Sequence, residues 1–374
     1  MTADLRTGVV GAGVMGRDVA ALLANGGYEV VLVDVDEDAL AAAERYHETE
    51  VEPALDAAGL ADGDPGDGHL DDRLNYETDL DALADCGFVV EAISETLDAK
   101  RGLVRDLETV LAPDAVVGTN TSSLTASDVA AAADRPERVV LFHFANPAIP
   151  RDVVEVNGEA ASDDALDRAE SVARGIGKEP FRLGTERRAN GLSRLSAAIK
   201  CAGTWELLAA DAAAIEVGAR QMGFPRGPLA FVDLIGVDIH LATVDNLAPA
   251  YDGRFDPPPS VRERMERMVA EGRAGAKDGE GFFVWEDGEA VLPSVDDPHD
   301  VQPVVAALVN EAHRMVADGV ADRETLNEIL KRGSGGVVGP FDVESMVGAD
   351  VLRDVLEARY EETGAGVYEP AESL

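Results

Sequence analysis

Two groups of residues in this chain have the types and spacing to do chemistry. The first centres on His143, which ends the apolar run Val139-Val140-Leu141-Phe142 and is followed by Asn146-Pro147. Glu155 stands in the next apolar run, Val154-Glu155-Val156. An imidazole with a carboxylate to orient it and stabilise its protonated form is a general base suited to taking a proton from an alcohol. Upstream, Asn120-Thr121-Ser122-Ser123 closes another apolar run and offers amide and hydroxyl donors for a substrate oxygen. The second group is Gly11-Ala12-Gly13-Val14-Met15-Gly16, between the apolar Val9-Val10 and a helix-forming stretch from Arg17 to Asn25. In such a turn Gly11 permits the tight bend, Gly13 lets a pyrophosphate approach the backbone, and Gly16 lets helix and strand pack closely. The amides and dipole of the helix start, at Val14 and Met15, favour the phosphate charge.

The elements that must position these residues follow from periodicity. The run Glu29-Val30-Val31-Leu32-Val33 ends in Asp34, an acid placed to accept from ribose hydroxyls and to repel a 2′-phosphate, which favours NAD over NADP. An alanine-rich acidic helix is expected over 37–58 and a polar Gly/Asp loop over 59–72. Further strands are expected at 88–91, 115–119, 139–144 and 153–156, with helices at 96–111 and 165–175. Strands alternating with helices imply a parallel, doubly wound sheet, the Rossmann arrangement. After Ser193 the strand pattern gives way to an all-α region, broken at Pro257-Pro258-Pro259 and at a linker, 292–303. This region contains a repeat. Gly227-Pro228, Gly236 and Asp238 recur as Gly339-Pro340, Gly348 and Asp350, each 112 residues on (339 − 227). The expected divisions are 1–184 for the dinucleotide domain, 185–290 for a first helical module, and 291–374 for a linker with a second, related module.

Composition narrows the partners. Acidic residues outnumber basic ones 72 to 32, giving a net charge of −40 spread along the whole chain. Nucleic acid and anionic membranes, which call for basic patches, are excluded as main partners. A dispersed acidic surface suits high salt, where self-repulsion is screened, so the chain reads as halophilic. The first residues lack the pattern of an export signal and no run is long enough to span a membrane, so a soluble cytoplasmic protein is expected. Cys86 and Cys201 stand far apart in apolar surroundings as core thiols, and no metal site is expected.

Together these motifs resemble the L-3-hydroxyacyl-CoA dehydrogenases. The resemblance rests on Gly11–Gly16, Val89-Val90-Glu91-Ala92-Ile93-Ser94-Glu95, Asn120–Leu124, His143-Phe144-Ala145-Asn146-Pro147, Val154–Val156, Gly223–Leu229 and Gly275–Phe283. It covers about residues 5 to 286, and the C-terminal segment resembles a second copy of the helical module found in multifunctional members. It implies NAD as cofactor and an acyl-CoA substrate. His143 would be the base, Glu155 its partner, and Ser122 a hydrogen-bonding group for the 3-oxygen. Glu95, Lys100, Asn120, Asn146 and Lys277 would lie near the cofactor. Because family members dimerise through the helical domain, the second module implies a pseudo-dimeric monomer, with 304–374 folded onto 191–290, or a homodimer.

The chain departs from the family pattern twice. The PGFIxNR segment falls at Glu186–Arg194, where the family asparagine aligns with Ser193, or with Asn190 after a three-residue slip. The stretch Glu44–Glu50, where the family carries CoA-facing serine and lysine, is acidic and has no lysine. Two other readings therefore stand beside the first: a dehydrogenase of the same fold for a free hydroxy acid or sugar acid, and a catalytically silent NAD-binding paralogue.

Overall fold

The computed structural model describes residues 5–60 and 70–374. Most of the expected 59–72 loop thus lies outside the described residues. The chain forms two compact units, Met1–Asn190 with Arg332–Gly335, and Gly191–Lys331 with Gly336–Leu374. The first unit runs past the expected boundary at 184 and takes in Asn190.

The first unit is built on an eight-stranded sheet of order β3-β2-β1-β4-β5-β6-β7-β8. Its strands are β1 (Thr7–Val10), β2 (Val30–Val33), β3 (Leu74–Glu77), β4 (Phe88–Glu91), β5 (Val116–Thr119), β6 (Val139–Phe144), β7 (Val153–Asn157) and β8 (Glu179–Arg182). Helices α1 (Val14–Asn25), α2 (Glu37–Thr49), α3 (Val51–Ala57), α4 (Leu97–Val110), α5 (Ala126–Ala130) and α6 (Asp163–Gly175) connect them. Successive side chains of a strand face opposite ways, so the central strands are apolar throughout because both faces are covered. Val9, Leu32, Phe88 and Val90 pack with α1 and α6, and Val10, Val33, Val89 and Val117 pack with α4 and α5.

Four expectations need correction here. The helix over 37–58 is two helices that meet at Glu50. Pro53 is the cause: in a continuous helix its ring would clash with the Thr49 carbonyl, whereas the first turn of α3 tolerates it. Strands β3 and β8 were not expected. Both are edge strands of four residues with exposed positions, so neither carries a long apolar run, and β8 contains Pro180, which an edge admits. The sheet is not wholly parallel, because β6 and β7 pair antiparallel. The link 145–152 is too short for a parallel crossover, which needs a dozen residues or more.

The second unit is mainly helical: α7 (Gly191–Glu206), α8 (Ala212–Gln221), α9 (Pro228–Ile235), α10 (Val237–Tyr251), α11 (Pro259–Ala270), α12 (Gln302–Ala317), α13 (Arg323–Ser334, of which Arg332 onward counts with the first unit), α14 (Pro340–Val347) and α15 (Ala349–Thr363). A hairpin, β9 (Val284–Glu286) and β10 (Glu289–Val291), interrupts the region read as all-α. Both bounds of α9 and both of α10 recur in α14 and α15 at the offset of 112 (340 − 228, 363 − 251). The glycine at each joint has the same conformation, φ 103° at Gly236 and φ 98° at Gly348, a region that side-chain-bearing residues avoid. Helix α7 packs along α12, where the buried Arg194 guanidinium meets the Glu311 carboxylate at 2.5 Å. Cys86 and Cys201 are buried and free, and burial pushes their thiols up to about 11 and about 12.

Candidate active site

The order of strands reverses between β1 and β4, and an open α/β sheet binds ligands in the crevice at such a point, beyond the carboxyl ends of its strands. A cleft of about 640 Å³ lies there, bounded by Gly11, Gly13, Asp34, Ala92 and Ser94 among others. Gly11 has φ 105°, and a Cβ on it would stand 2.6 Å from the Ala92 carbonyl oxygen. A Cβ on Gly16 would stand 1.7 Å from the Gly11 oxygen, so glycine alone lets α1 approach β1 this closely. At Gly13 a Cβ would meet nothing within 4 Å. This glycine begins α1 without a side-chain cap, leaving the amides at the start of Val14 and Met15 for an anion. Asp34, just past β2, accepts from the Ala12 amide at 2.7 Å and the Asp36 amide at 3.0 Å. Fixed in this way it keeps lone pairs for ribose hydroxyls. The turn, the open space at Gly13 and the anchored acid fit a dinucleotide.

On the far side of the switch point the antiparallel pairing of β6 and β7 sets His143 directly opposite Glu155. The Nδ1 of His143 lies 2.7 Å from Oε2 of Glu155, and the two side chains are 7% and 1% exposed. With Nδ1 engaged, Nε2 is the nitrogen left to exchange a proton, since it has no partner among the described residues. Asn120, after β5, accepts from the Phe144 amide at 2.9 Å and so fixes the strand end that carries the histidine. Asn146 is exposed in the loop after β6, joined to Pro147 by a cis peptide bond.

Between these two halves lies a charged cluster that sequence reasoning saw only in part. One oxygen of Glu95 accepts from Thr121 Oγ1 at 2.6 Å, the Ser122 amide at 2.9 Å, the Ser123 amide at 2.8 Å and Ser123 Oγ at 2.9 Å. Ser122 Oγ donates to the same oxygen at 3.3 Å. Burial works to raise the Glu95 carboxyl, but the Lys100 charge and these donors outweigh it and hold the group below its ordinary value. Lys100 is buried, its Nζ 2.7 Å from Glu91 and 3.4 Å from Glu95. Thr119 Oγ1 completes the set by donating to Glu91 at 2.6 Å. Lys100 therefore organises carboxylates and is not a solvated charge. Glu91 and Thr119 are missing from the sequence-derived site, although an acid closing the apolar run Phe88-Val89-Val90 was a visible signal for the first; Thr121 and Ser123 were read as donors to a substrate oxygen and donate to Glu95 instead.

Asn190 is buried in the first unit, and its amide donates to the Thr121 carbonyl at 3.1 Å, bracing the Ser122 loop. Ser193 stands on the first turn of α7 in the second unit. Lys277 also belongs to the second unit, where its Nζ pairs with Asp238 at 2.6 Å. Lys178, which sequence reasoning passed over, holds the loop after β6 by donating to the carbonyls of Ala148, Ile149 and Arg151 at 2.9, 2.7 and 2.7 Å. Burial lowers its ammonium to about 8.

Comparison with known proteins agrees with this geometry. Residues 6–186 match the NAD binding domain of 3-hydroxyacyl-CoA dehydrogenase, and residues 195–285 and 301–374 match its C-terminal domain. A probable 3-hydroxybutyryl-CoA dehydrogenase of Deinococcus radiodurans is 31% identical over 285 residues, which span 75% of this chain and 99% of that protein. A 3-hydroxyadipyl-CoA dehydrogenase of Escherichia coli is 32% identical over 76% of this chain and 60% of its own length. The crystal structure of a 3-hydroxybutyryl-CoA dehydrogenase from Escherichia coli shares the fold, with a TM-score of 0.80 at 23% identity over 98% of this chain and 97% of that one. No helix among the described residues is long and apolar enough to cross a membrane. With a histidine–carboxylate pair and a glycine turn on one sheet edge, the chain belongs to the 3-hydroxyacyl-CoA dehydrogenase family of NAD-dependent oxidoreductases.

Proposed function

We propose that this chain interconverts (3S)-3-hydroxyacyl-CoA and 3-oxoacyl-CoA, with His143 as the proton-transferring group. The observation that carries the reading is the buried His143–Glu155 pair at the carboxyl edge shared with the glycine turn. In oxidation Nε2 of His143 takes the 3-hydroxyl proton, and the Glu155 carboxylate stabilises the imidazolium that results. NAD, when bound, would supply the hydride acceptor. Gly11, Gly13, Val14, Met15 and Gly16 would hold its pyrophosphate and Asp34 its adenosine ribose. Ser122 Oγ, whose 3.3 Å contact with Glu95 is the longest in that cluster, can turn to donate to the substrate 3-oxygen. Asn190 is a positioning residue that acts through the Ser122 loop. Ser193, at the family's asparagine position, is the second candidate donor to the carbonyl oxygen, and Lys277 is assigned to the cofactor side on family resemblance alone.

The acidic composition supports a high-salt cytoplasm as its setting. The paired helix sets α7–α10 and α12–α15 support two copies of one module and a pseudo-dimeric monomer, for which sedimentation should give a single chain. The decisive assay follows NADH oxidation with acetoacetyl-CoA in molar KCl, beside free acetoacetate and a gulonate-type acid. Turnover with the CoA ester alone supports the reading. Turnover with a free acid alone moves the substrate class. No turnover by a protein that binds NADH refutes it.

A further inference from the structure

Arg17 is a half-buried cation that forms no ion pair among the described residues, in a chain dominated by acids. It lies in the second turn of α1, directly after Gly16, and its guanidinium sits 3.9 Å from the centre of the Tyr46 ring on α2. Among the described residues this guanidinium has no hydrogen bond and no ion pair, and its Nε is buried without a partner. Its surroundings are built. The Tyr46 hydroxyl donates to Asp18 at 2.9 Å, which fixes the ring under the arginine. His47 lies 2.8 Å from the Arg17 carbonyl through Nε2 and 2.8 Å from the Tyr76 hydroxyl through Nδ1, which ties α1 to α2 on the other side. The charged groups near it are Asp18, which is buried and raised above its ordinary value chiefly by that burial, and Glu50. The Ala148 amide faces the Asp18 carboxylate, so this corner adjoins the loop that follows His143.

A guanidinium stacked flat on an aromatic ring keeps its in-plane N–H donors free, and that fork matches a phosphate. We propose that Arg17, held on Tyr46, receives a phosphate of the CoA portion of the thioester, supplying the cation that the acidic stretch Glu44–Glu50 lacks. This rests on the acyl-CoA reading above. The site takes a phosphomonoester or a pyrophosphate, and the choice of thioester tells them apart.

The test compares acetoacetyl-CoA, its 3′-dephospho analogue and acetoacetyl-pantetheine as substrates for the parent enzyme, Arg17→Ala, Arg17→Lys and Arg174→Ala at fixed ionic strength. Loss of one charge-assisted hydrogen-bonded contact should raise KM for acetoacetyl-CoA by about tenfold to a hundredfold in Arg17→Ala, with kcat held. Arg17→Lys, which keeps the charge and loses the planar fork, should fall between. Arg174, exposed on α6 and paired with Glu170, removes the same charge elsewhere and should leave KM within about twofold. Acetoacetyl-pantetheine should be used equally well by parent and Arg17→Ala. If dephospho-CoA behaves like pantetheine the contact is to the 3′-phosphate, and if it behaves like CoA the contact is to the pyrophosphate. An equal rise for all three thioesters, a rise in KM for NADH instead, or no change overturns the proposal. A parent enzyme inactive on every thioester overturns the acyl-CoA reading itself.

Discussion

Replacing Glu155 by Gln tests the catalytic pair most directly. The amide oxygen still accepts from Nδ1–H, so the ring keeps its orientation and the variant loses only the negative charge. The contact of 2.7 Å between Nδ1 and Oε2 puts the two charge centres about 4 Å apart, and at an effective dielectric constant of about 20 their attraction is about 4 kcal/mol. That attraction exists only once His143 is protonated, so it lowers the barrier to proton removal and not the energy of substrate binding. Four kcal/mol corresponds to about a thousandfold in rate. Single-turnover formation of NADH from 3-hydroxybutyryl-CoA measures the step without product release. The expected result is a fall of about a thousandfold with unchanged NADH affinity and unchanged thermal midpoint. A single-turnover rate within tenfold of the parent, in a variant that folds and binds NADH, would refute the assignment of Glu155.

Two further outcomes follow from the geometry. Lys200 on α7 is buried with its Nζ 5.1 Å from the Phe231 ring and no acidic partner among the described residues, and burial lowers its ammonium to about 8. Between about pH 8 and the unfolded value near 10.4 the unfolded chain binds more protons, so stability rises with pH across that window and the penalty is full below it. Lys200→Met should therefore stabilise the protein by about 3 kcal/mol at neutral pH, with the gain fading towards about pH 10; denaturant titrations at the two pH values check the trend, and a gain independent of pH would contradict it. The glycine turn makes a paired prediction. Gly16→Ala should lower the thermal midpoint and abolish NADH binding, because its Cβ would stand 1.7 Å from a backbone oxygen. Gly13→Ala should keep the midpoint and weaken NADH binding by about tenfold, because the methyl enters space that only the pyrophosphate needs. Calorimetry and NADH fluorescence titration separate the two.

What was legible in the sequence is what the backbone dictates locally. The turn at Gly11–Gly16, the apolar central strands and the recurrence of Gly227-Pro228 with Gly236 at Gly339-Pro340 with Gly348 each follow from one segment's own conformational needs. Edge strands β3 and β8 escaped notice because a strand buried on one side over four residues carries too few apolar positions to announce itself.

Pairings between distant segments were legible only where types and order happened to suggest them. His143 and Glu155 were named as partners, but the antiparallel register that sets them face to face came from the short link 145–152, whose length argued against the parallel arrangement all along. The Glu95 cluster joins residues from the ends of β4 and β5 with Lys100 of α4, and no spacing within one segment encodes it. Its consequence is nevertheless physical and specific. A carboxylate that gathers the Thr121, Ser122 and Ser123 donors, and is itself held ionised by Lys100, fixes the loop that presents the Ser122 hydroxyl. Lys100 and Glu91, which also hold the cleft residue Ile93 by its carbonyl and its amide, thus reach the chemistry through the position of one serine.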